Sequence, residues 1–315
     1  MKRKEKTNVI NQAEIKVGFT CNNNCLFCLN ADKKGFSDLS SDEIKEKIKQ
    51  AKSLGVKEIA LTGGEPTIRD DFLDICKCVF DNRLNLEVQT NGRMFSYKRF
   101  ADMFRGLPVR FLVSVHGDEK THNLLTNTKS FQQTISGIRN IKKNKLFIIS
   151  NTVINKKNYK LIPKINSFLY DLNVDRIQFV WMEGMGNALK NRHALAVSYS
   201  KAKPYIKKIL DSRKFKKTYF VRFPPCVLED LSVDRSRLNL MSVSKKADFE
   251  MGQLFFTKEI SDTKWTKIKA CNRCTKNPLC RGVYLFYLET FGADEFKPIE
   301  ERPDPKSRSA RRSRV

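Results

Sequence analysis

Over the first 180 residues of this 315-residue chain, short apolar runs alternate with amphipathic stretches of helical period. Few architectures accommodate that rhythm. A strand followed by a helix, repeated, brings each new strand back parallel to the last, so the pattern predicts a parallel sheet with helices packed on it. Six strands are expected, at roughly 14–19, 58–61, 85–89, 109–115, 146–153 and 175–180. Between the first two, Ser40 and Glu43 have capping-box spacing, and Ile44, Ile48 and Ala51 fall on one helical stripe that Gly55 ends. Further helices are expected near 71–80, 97–104, 131–143 and 161–172. After Trp181 the rhythm changes to a polar stretch, a helix near 198–215, a strand near 219–223 and irregular sequence, which places a boundary near residue 190. The length suits one large domain with a smaller appendage.

No apolar run approaches the roughly eighteen residues needed to span a bilayer. The charged start, Met1-Lys2-Arg3-Lys4, has no apolar segment behind it, so no secretory signal is expected and a cytoplasmic location follows. The formal charge of +26 is spread thinly over helix faces except in the 302–315 tail, which reads as a disordered basic arm able to attract RNA. In a reducing compartment the clustered ones among nine cysteines are metal ligands before they are disulfides.

Three of them, Cys21, Cys25 and Cys28, follow the first strand with C-x3-C-x2-C spacing. Thiolates so close in sequence share one loop and converge on one metal centre. A four-iron cluster normally takes four cysteines, so three local ones leave one iron without a protein ligand, and an open coordination position is the mark of a catalytic metal site. Zinc completed by a ligand from elsewhere is the alternative. At the end of the second strand stands Gly63-Gly64-Glu65-Pro66, where two glycines permit positive φ and close backbone approach, and Glu65 offers a carboxylate to an ammonium group.

With Phe27 inside the cysteine run, these two motifs resemble those of the radical SAM superfamily. The resemblance implies an open six-stranded barrel, here a partial (β/α)6 TIM-like barrel of class α/β over 1–190. It also implies a [4Fe–4S] cluster on Cys21, Cys25 and Cys28 whose free iron is chelated by the methionine part of S-adenosylmethionine (SAM). The glycine turn would hold the SAM amino group. Asn91, Ser114 and Asn151, at later strand ends, would add polar contacts. The implied activity is reductive cleavage of SAM to a 5′-deoxyadenosyl radical, which calls for a reducing partner such as a ferredoxin or flavodoxin. No side chain is assigned a catalytic role. His116 reads as a scaffold residue and Cys76 and Cys78 as small buried hydrophobes.

The remaining four cysteines, Cys226, Cys271, Cys274 and Cys280, suffice to close a metal site completely, either [4Fe–4S] or zinc. They resemble the C-terminal SPASM and twitch extensions of the same superfamily, which implies a second [4Fe–4S] cluster in a small Cys-rich α+β extension over 191–300, followed by a basic tail over 301–315. The leading expectation is a peptide substrate. RNA or a small-molecule precursor is the second, and a non-catalytic two-zinc nucleic-acid-binding protein is the reading from another class.

Overall fold

The computed structural model describes residues 12–231, 264–278 and 280–300, with the strand backbones at 238–239, 247–250 and 253–256. Strands β1 (Gln12–Lys16), β2 (Glu58–Thr62), β3 (Asn85–Thr90), β4 (Val109–Ser114), β5 (Phe147–Ile154) and β6 (Arg176–Trp181) lie side by side in chain order, every neighbouring pair parallel. Their positions match the six expected from sequence, the first shifted toward the N-terminus. Helices α1 (Ser41–Ser53), α2 (Phe72–Asp81), α3 (Lys98–Asp102), α4 (Glu119–Thr126), α5 (Phe131–Lys143) and α6 (Ile162–Asp171) fill the crossovers. The capping box at the start of α1 is complete: the Ser40 hydroxyl accepts from the Glu43 amide while the Glu43 carboxylate accepts from the Ser40 amide.

Beyond β6 come α7 (Gly186–Lys190), α8 (Arg192–Leu195) and α9 (Tyr199–Leu210), then β7 (Thr218–Val221), which pairs in parallel with β6. The sheet therefore continues past residue 190. Strand β8 (Leu238–Asn239) adds to β7, and β9 (Ala247–Glu250) adds in parallel to β1 with β10 (Gln253–Phe256) antiparallel beyond it. The result is a partial α/β barrel of the expected class, extended on both edges. Helix α10 (Pro225–Leu228), the small ribbon of β11 (Trp265–Thr266) with β12 (Val283–Tyr284), and α11 (Leu285–Phe291) complete the described C-terminal part. The 302–315 tail lies outside the described residues.

Alternation along the strands separates two environments. Ala13, Ile15, Ile59, Leu61, Val88, Phe111 and Val113 are buried in the main hydrophobic core, together with Ile44, Ile48, Ile75 and Ile138 from the helices. Residues of the opposite parity are largely polar. Near the strand starts, Arg110 donates to Glu87 and to Glu58, each at 2.7 Å, and Gln12 donates to Glu58. In this ion-pair layer the half-exposed Arg110 guanidinium satisfies the more buried carboxylates of Glu58 and Glu87. The same parity at the other end supplies Thr62, Gln89, Ser114 and Asn151, which line an open cavity. Strand C-terminal ends are where β/α barrels place their sites. Among the described residues no helix is long and apolar enough to cross a membrane.

Candidate functional site at the barrel mouth

Chain geometry brings the two sequence motifs together before any ligand is considered. The Gly64 amide donates to the Gly18 carbonyl at 2.8 Å and the Glu65 amide to the Thr20 carbonyl at 2.9 Å, so the glycine turn is bonded to the segment leading into Cys21. Gly63 has φ +122°, a conformation that favours glycine. At Gly64 the requirement is space: an added Cβ would stand 2.6 Å from the Phe19 carbonyl carbon and 2.7 Å from its oxygen. The close approach that the glycines permit is thus to the protein's own backbone. Asn30, just past the cysteines, donates to the Gly63 carbonyl at 2.8 Å and closes the circuit.

Glu65 is the buried pivot of this arrangement. One carboxylate oxygen accepts from the Thr67 hydroxyl (2.5 Å), the Thr67 amide (3.2 Å) and the Thr90 hydroxyl (2.6 Å), and the other from the Asn91 amide at 2.6 Å. Burial raises its pKa and these donors oppose the rise. Its charge also reaches Cys21, helping to raise the pKa of that thiol. Glu65 therefore joins β2 to β3 and sets its carboxyl group beside the cysteine loop.

That loop is held from many sides. Asn91 donates to the Asn22 side chain at 2.6 Å, and Arg93 donates to the Asn22 carbonyl and, at 3.0 Å, to the Asn23 side chain. The amides of Asn24 and Leu26 donate to the carbonyls of Thr126 and Leu125 at the end of α4, at 3.1 and 2.9 Å. Asn187 of α7 donates to the Cys25 carbonyl at 3.0 Å, and Asn191 to the Leu26 carbonyl at 2.8 Å. Of these clamps only Asn91 is singled out by the sequence. The others are polar residues remote in the chain, with no local spacing to signal them.

The three thiols border one cavity with the glycine turn, Phe27, Asn91, Ser114 and Asn151, a space of about 220 Å³. Seven of the eight expected cofactor-contact residues thus line it; Pro66 is buried beneath, opening a short 3-10 turn. Trp181, Glu183 and Arg222 also line the cavity; of these, the sequence points only to Glu183, in the Met182-Glu183-Gly184 run after the sixth strand. His116 also lines the cavity, its Nδ1 accepting from the Val153 amide at 3.3 Å and its ring edge-on to Phe27 at 4.6 Å. Burial, then the neighbouring His122, lowers its pKa well below the usual value, so it is a neutral ring within the scaffold.

Burial pushes the Cys21 thiol up to about 11, and Cys25 and Cys28 also rise, chiefly by burial. In Cys25 the next causes are the charges of Cys28 and Cys21, so these thiols lie close enough to oppose one another's ionisation. Multiply charged iron removes that penalty. The Asn23 amide points at the Cys21 sulfur, 3.4 Å away, the type of bond that tunes cluster sulfurs. Among the described residues no three His, Cys, Asp or Glu side chains converge tightly enough to grip a single ion; the thiols border a cavity instead. The donor set and its setting fit an iron–sulfur group with an open side.

The other four cysteines also share one cavity, bordered by Pro224, Pro225 and Lys267. Burial raises Cys226 to about 12, with the charges of Cys280, Cys274 and Cys271 as the next causes. The Gly282 amide donates to the Cys280 sulfur at 3.3 Å and the Ile299 amide to the Cys274 sulfur at 3.4 Å. Lys267 ties the loop by donating to the carbonyls of Asn277, at 2.7 Å, and Cys280. Cys76 is buried in the core on α2 and Cys78 packs against it, as hydrophobes do.

Residues 15–167 match the sequence profile described as "Radical SAM superfamily". A protein of Saccharolobus islandicus named "Probable GTP 3',8-cyclase" is 27% identical over 212 residues, covering 65% of this chain and 68% of its own. The PqqA peptide cyclase of Bradyrhizobium diazoefficiens is 25% identical over 195 residues, 58% of this chain and 49% of that one. In fold, the chain resembles Streptococcus suis SuiB, solved with its precursor peptide SuiA, at a TM-score of 0.68 and 14% identity, over 92% of this chain and 75% of SuiB. Two motifs meet at the mouth of a partial barrel and the radical SAM profile is matched across that same region, so residues 15–167 form the radical SAM domain of an enzyme.

Proposed function

We propose that Cys21, Cys25 and Cys28 ligate a [4Fe–4S] cluster that binds SAM, and that the enzyme modifies a peptide. The observation that carries this reading is the single cavity shared by the three thiols and the glycine turn. When bound, the cluster and SAM supply reductive formation of a 5′-deoxyadenosyl radical able to abstract hydrogen from substrate, with a ferredoxin or flavodoxin as reductant. The chain's own part is positioning and exclusion of water. The turn and the charge of Glu65 receive the SAM ammonium group; Phe27, Asn91, Ser114 and Asn151 line the space for the rest of SAM.

Residues 1–190 act as the catalytic core and 191–300 as a SPASM- or twitch-like extension, in which Cys226, Cys271, Cys274 and Cys280 hold a second [4Fe–4S] cluster. Similarity to a peptide cyclase and to the fold of SuiB supports a peptide substrate. Similarity to the GTP cyclase favours a second reading, a small-molecule substrate. Cys25→Ala and Cys274→Ala test the division of labour under anaerobic, reducing conditions. SAM cleavage is expected to vanish in Cys25→Ala and to persist, uncoupled from product, in Cys274→Ala; equal residual cleavage in the two variants contradicts it.

A further inference from the structure

The lining of the barrel-mouth cavity holds an ion pair that neither motif explains. Glu183 follows β6 and Arg222 follows β7, and Arg222 Nε stands 2.8 Å from a Glu183 oxygen. The Arg222 side chain remains 37% exposed although the residue lines the cavity, so its guanidinium is reachable from the space the thiols border. Among the described residues its Nη groups have no further partner. Its backbone is also unusual: φ is +64°, a left-handed conformation that costs a non-glycine residue free energy and collects at functional sites. Packing on both sides maintains it, with the Tyr199 hydroxyl donating to the Arg222 carbonyl at 3.5 Å and buried Phe223 next in the chain. A strained backbone thus presents a guanidinium whose inner edge is held and whose outer edge remains available for a planar anion.

Charge balance narrows which anion. Apart from the thiols, the charged residues lining the cavity are Lys34 and Arg222 against Glu65 and Glu183, with His116 neutral. Two separate cations are too few to hold a polyphosphate, whereas the uncommitted Nη groups of the one guanidinium match the planar fork of a single carboxylate.

We propose that Arg222 is a specificity-determining residue that receives one carboxylate of a peptide at the barrel mouth. This rests on the peptide reading above and narrows it to acidic peptides. Glu183 restrains the guanidinium and weakens its pull on the incoming anion, which gives the pair a signature that a purely structural ion pair lacks.

The test uses the full chain with its clusters reconstituted anaerobically, saturating SAM, and a randomised peptide pool in two arms, one amidated and one with free C-termini. Retained peptides are sequenced, GTP serves as competitor, and SAM affinity is measured in parallel. The wild type is expected to enrich acidic peptides roughly tenfold, the gain of one charge-assisted hydrogen bond. Enrichment in both arms assigns a side-chain carboxylate; enrichment in the free arm alone assigns the terminus. Arg222→Gln is expected to abolish the preference and Arg222→Lys to keep part of it, whereas Glu183→Gln is expected to increase it. The proposal is overturned by retention without acidic preference, by a preference that survives Arg222→Gln, by loss of preference in Glu183→Gln, or by weakened SAM binding in Arg222→Gln, which would make Arg222 a cofactor contact. Retention of GTP with no peptide retained overturns the peptide reading, and the anchor with it.

Discussion

Replacing Gly64 by alanine adds one methyl group where the backbone of residues 19–20 leaves no room for it. The new Cβ would stand 2.6 Å from the Phe19 carbonyl carbon, and Cβ contacts essentially never fall under 3.0 Å, so backbone must move. The Thr20 carbonyl oxygen, closer still, has to retreat by about 1 Å. A shift of that size carries the Gly64–Gly18 and Glu65–Thr20 hydrogen bonds, 2.8 and 2.9 Å long, beyond bonding distance. Two lost bonds cost about 1–3 kcal/mol together, and residual overpacking adds about 1–2 kcal/mol. The expected destabilisation is ~2–4 kcal/mol, a fall in Tm on the order of 5–10 °C, with the cysteine loop displaced from the turn and SAM affinity reduced. Gly55→Ala is the control: unlike Gly64 it has positive φ, at +78°, but nothing lies within 4 Å of its Cβ, so strain of about 1 kcal/mol is the whole effect. Differential scanning calorimetry and equilibrium dialysis with labelled SAM read both quantities. Gly64→Ala with wild-type Tm and SAM affinity would refute the close-approach argument.

Burial lowers His122 to about 4, against about 6.5 when unfolded. Between those values the unfolded state binds more protons, so stability falls as pH drops from 6.5 toward 4, by about 2 kcal/mol at pH 5. Urea titrations at pH 7.5 and 5 should show His122→Gln losing less stability between the two than wild type does; parallel losses would exclude His122 as a source. Arg93→Ala removes donors to Asn22 and Asn23, so hydrogen exchange over residues 21–28 should accelerate several-fold and a chelator should strip iron faster, with Tm falling only a few degrees. Unchanged exchange would show that the remaining clamps suffice.

Strands β1–β7 and most helices among them were legible because apolar spacing reports burial against the sheet, and α5 occupies the expected 131–143 interval, whereas β8–β12, α10 and α11 fall in sequence that reads as irregular. Helix α4 escaped because its apolar stripe is thin, although Asp118 caps it by accepting from the Thr121 amide at 2.9 Å. The polar interior was also missed. Glu58, Glu87 and Arg110 alternate with apolar neighbours as solvent-facing residues do, and only the closure of the sheet turns them inward. The cysteine groups were legible as the local spacings of Cys21, Cys25 and Cys28 and of Cys271, Cys274 and Cys280, with Cys226 remote in the chain, whereas Asn187, Asn191 and Arg222 reach the mouth only through the fold. Tyr219 and its neighbours were read as a strand, but β7 joins the barrel sheet beside β6, since parallel pairing there leaves no trace in local sequence.

The most direct measurement is Mössbauer and EPR spectroscopy of the anaerobically reconstituted, iron-enriched protein, recorded with and without SAM. Each [4Fe–4S] cluster contributes about four irons. Wild type should carry both clusters and show one iron site perturbed by SAM, Cys274→Ala should retain that perturbation, and Cys25→Ala should lose it. Zinc without iron, or cluster spectra indifferent to SAM, would contradict the account.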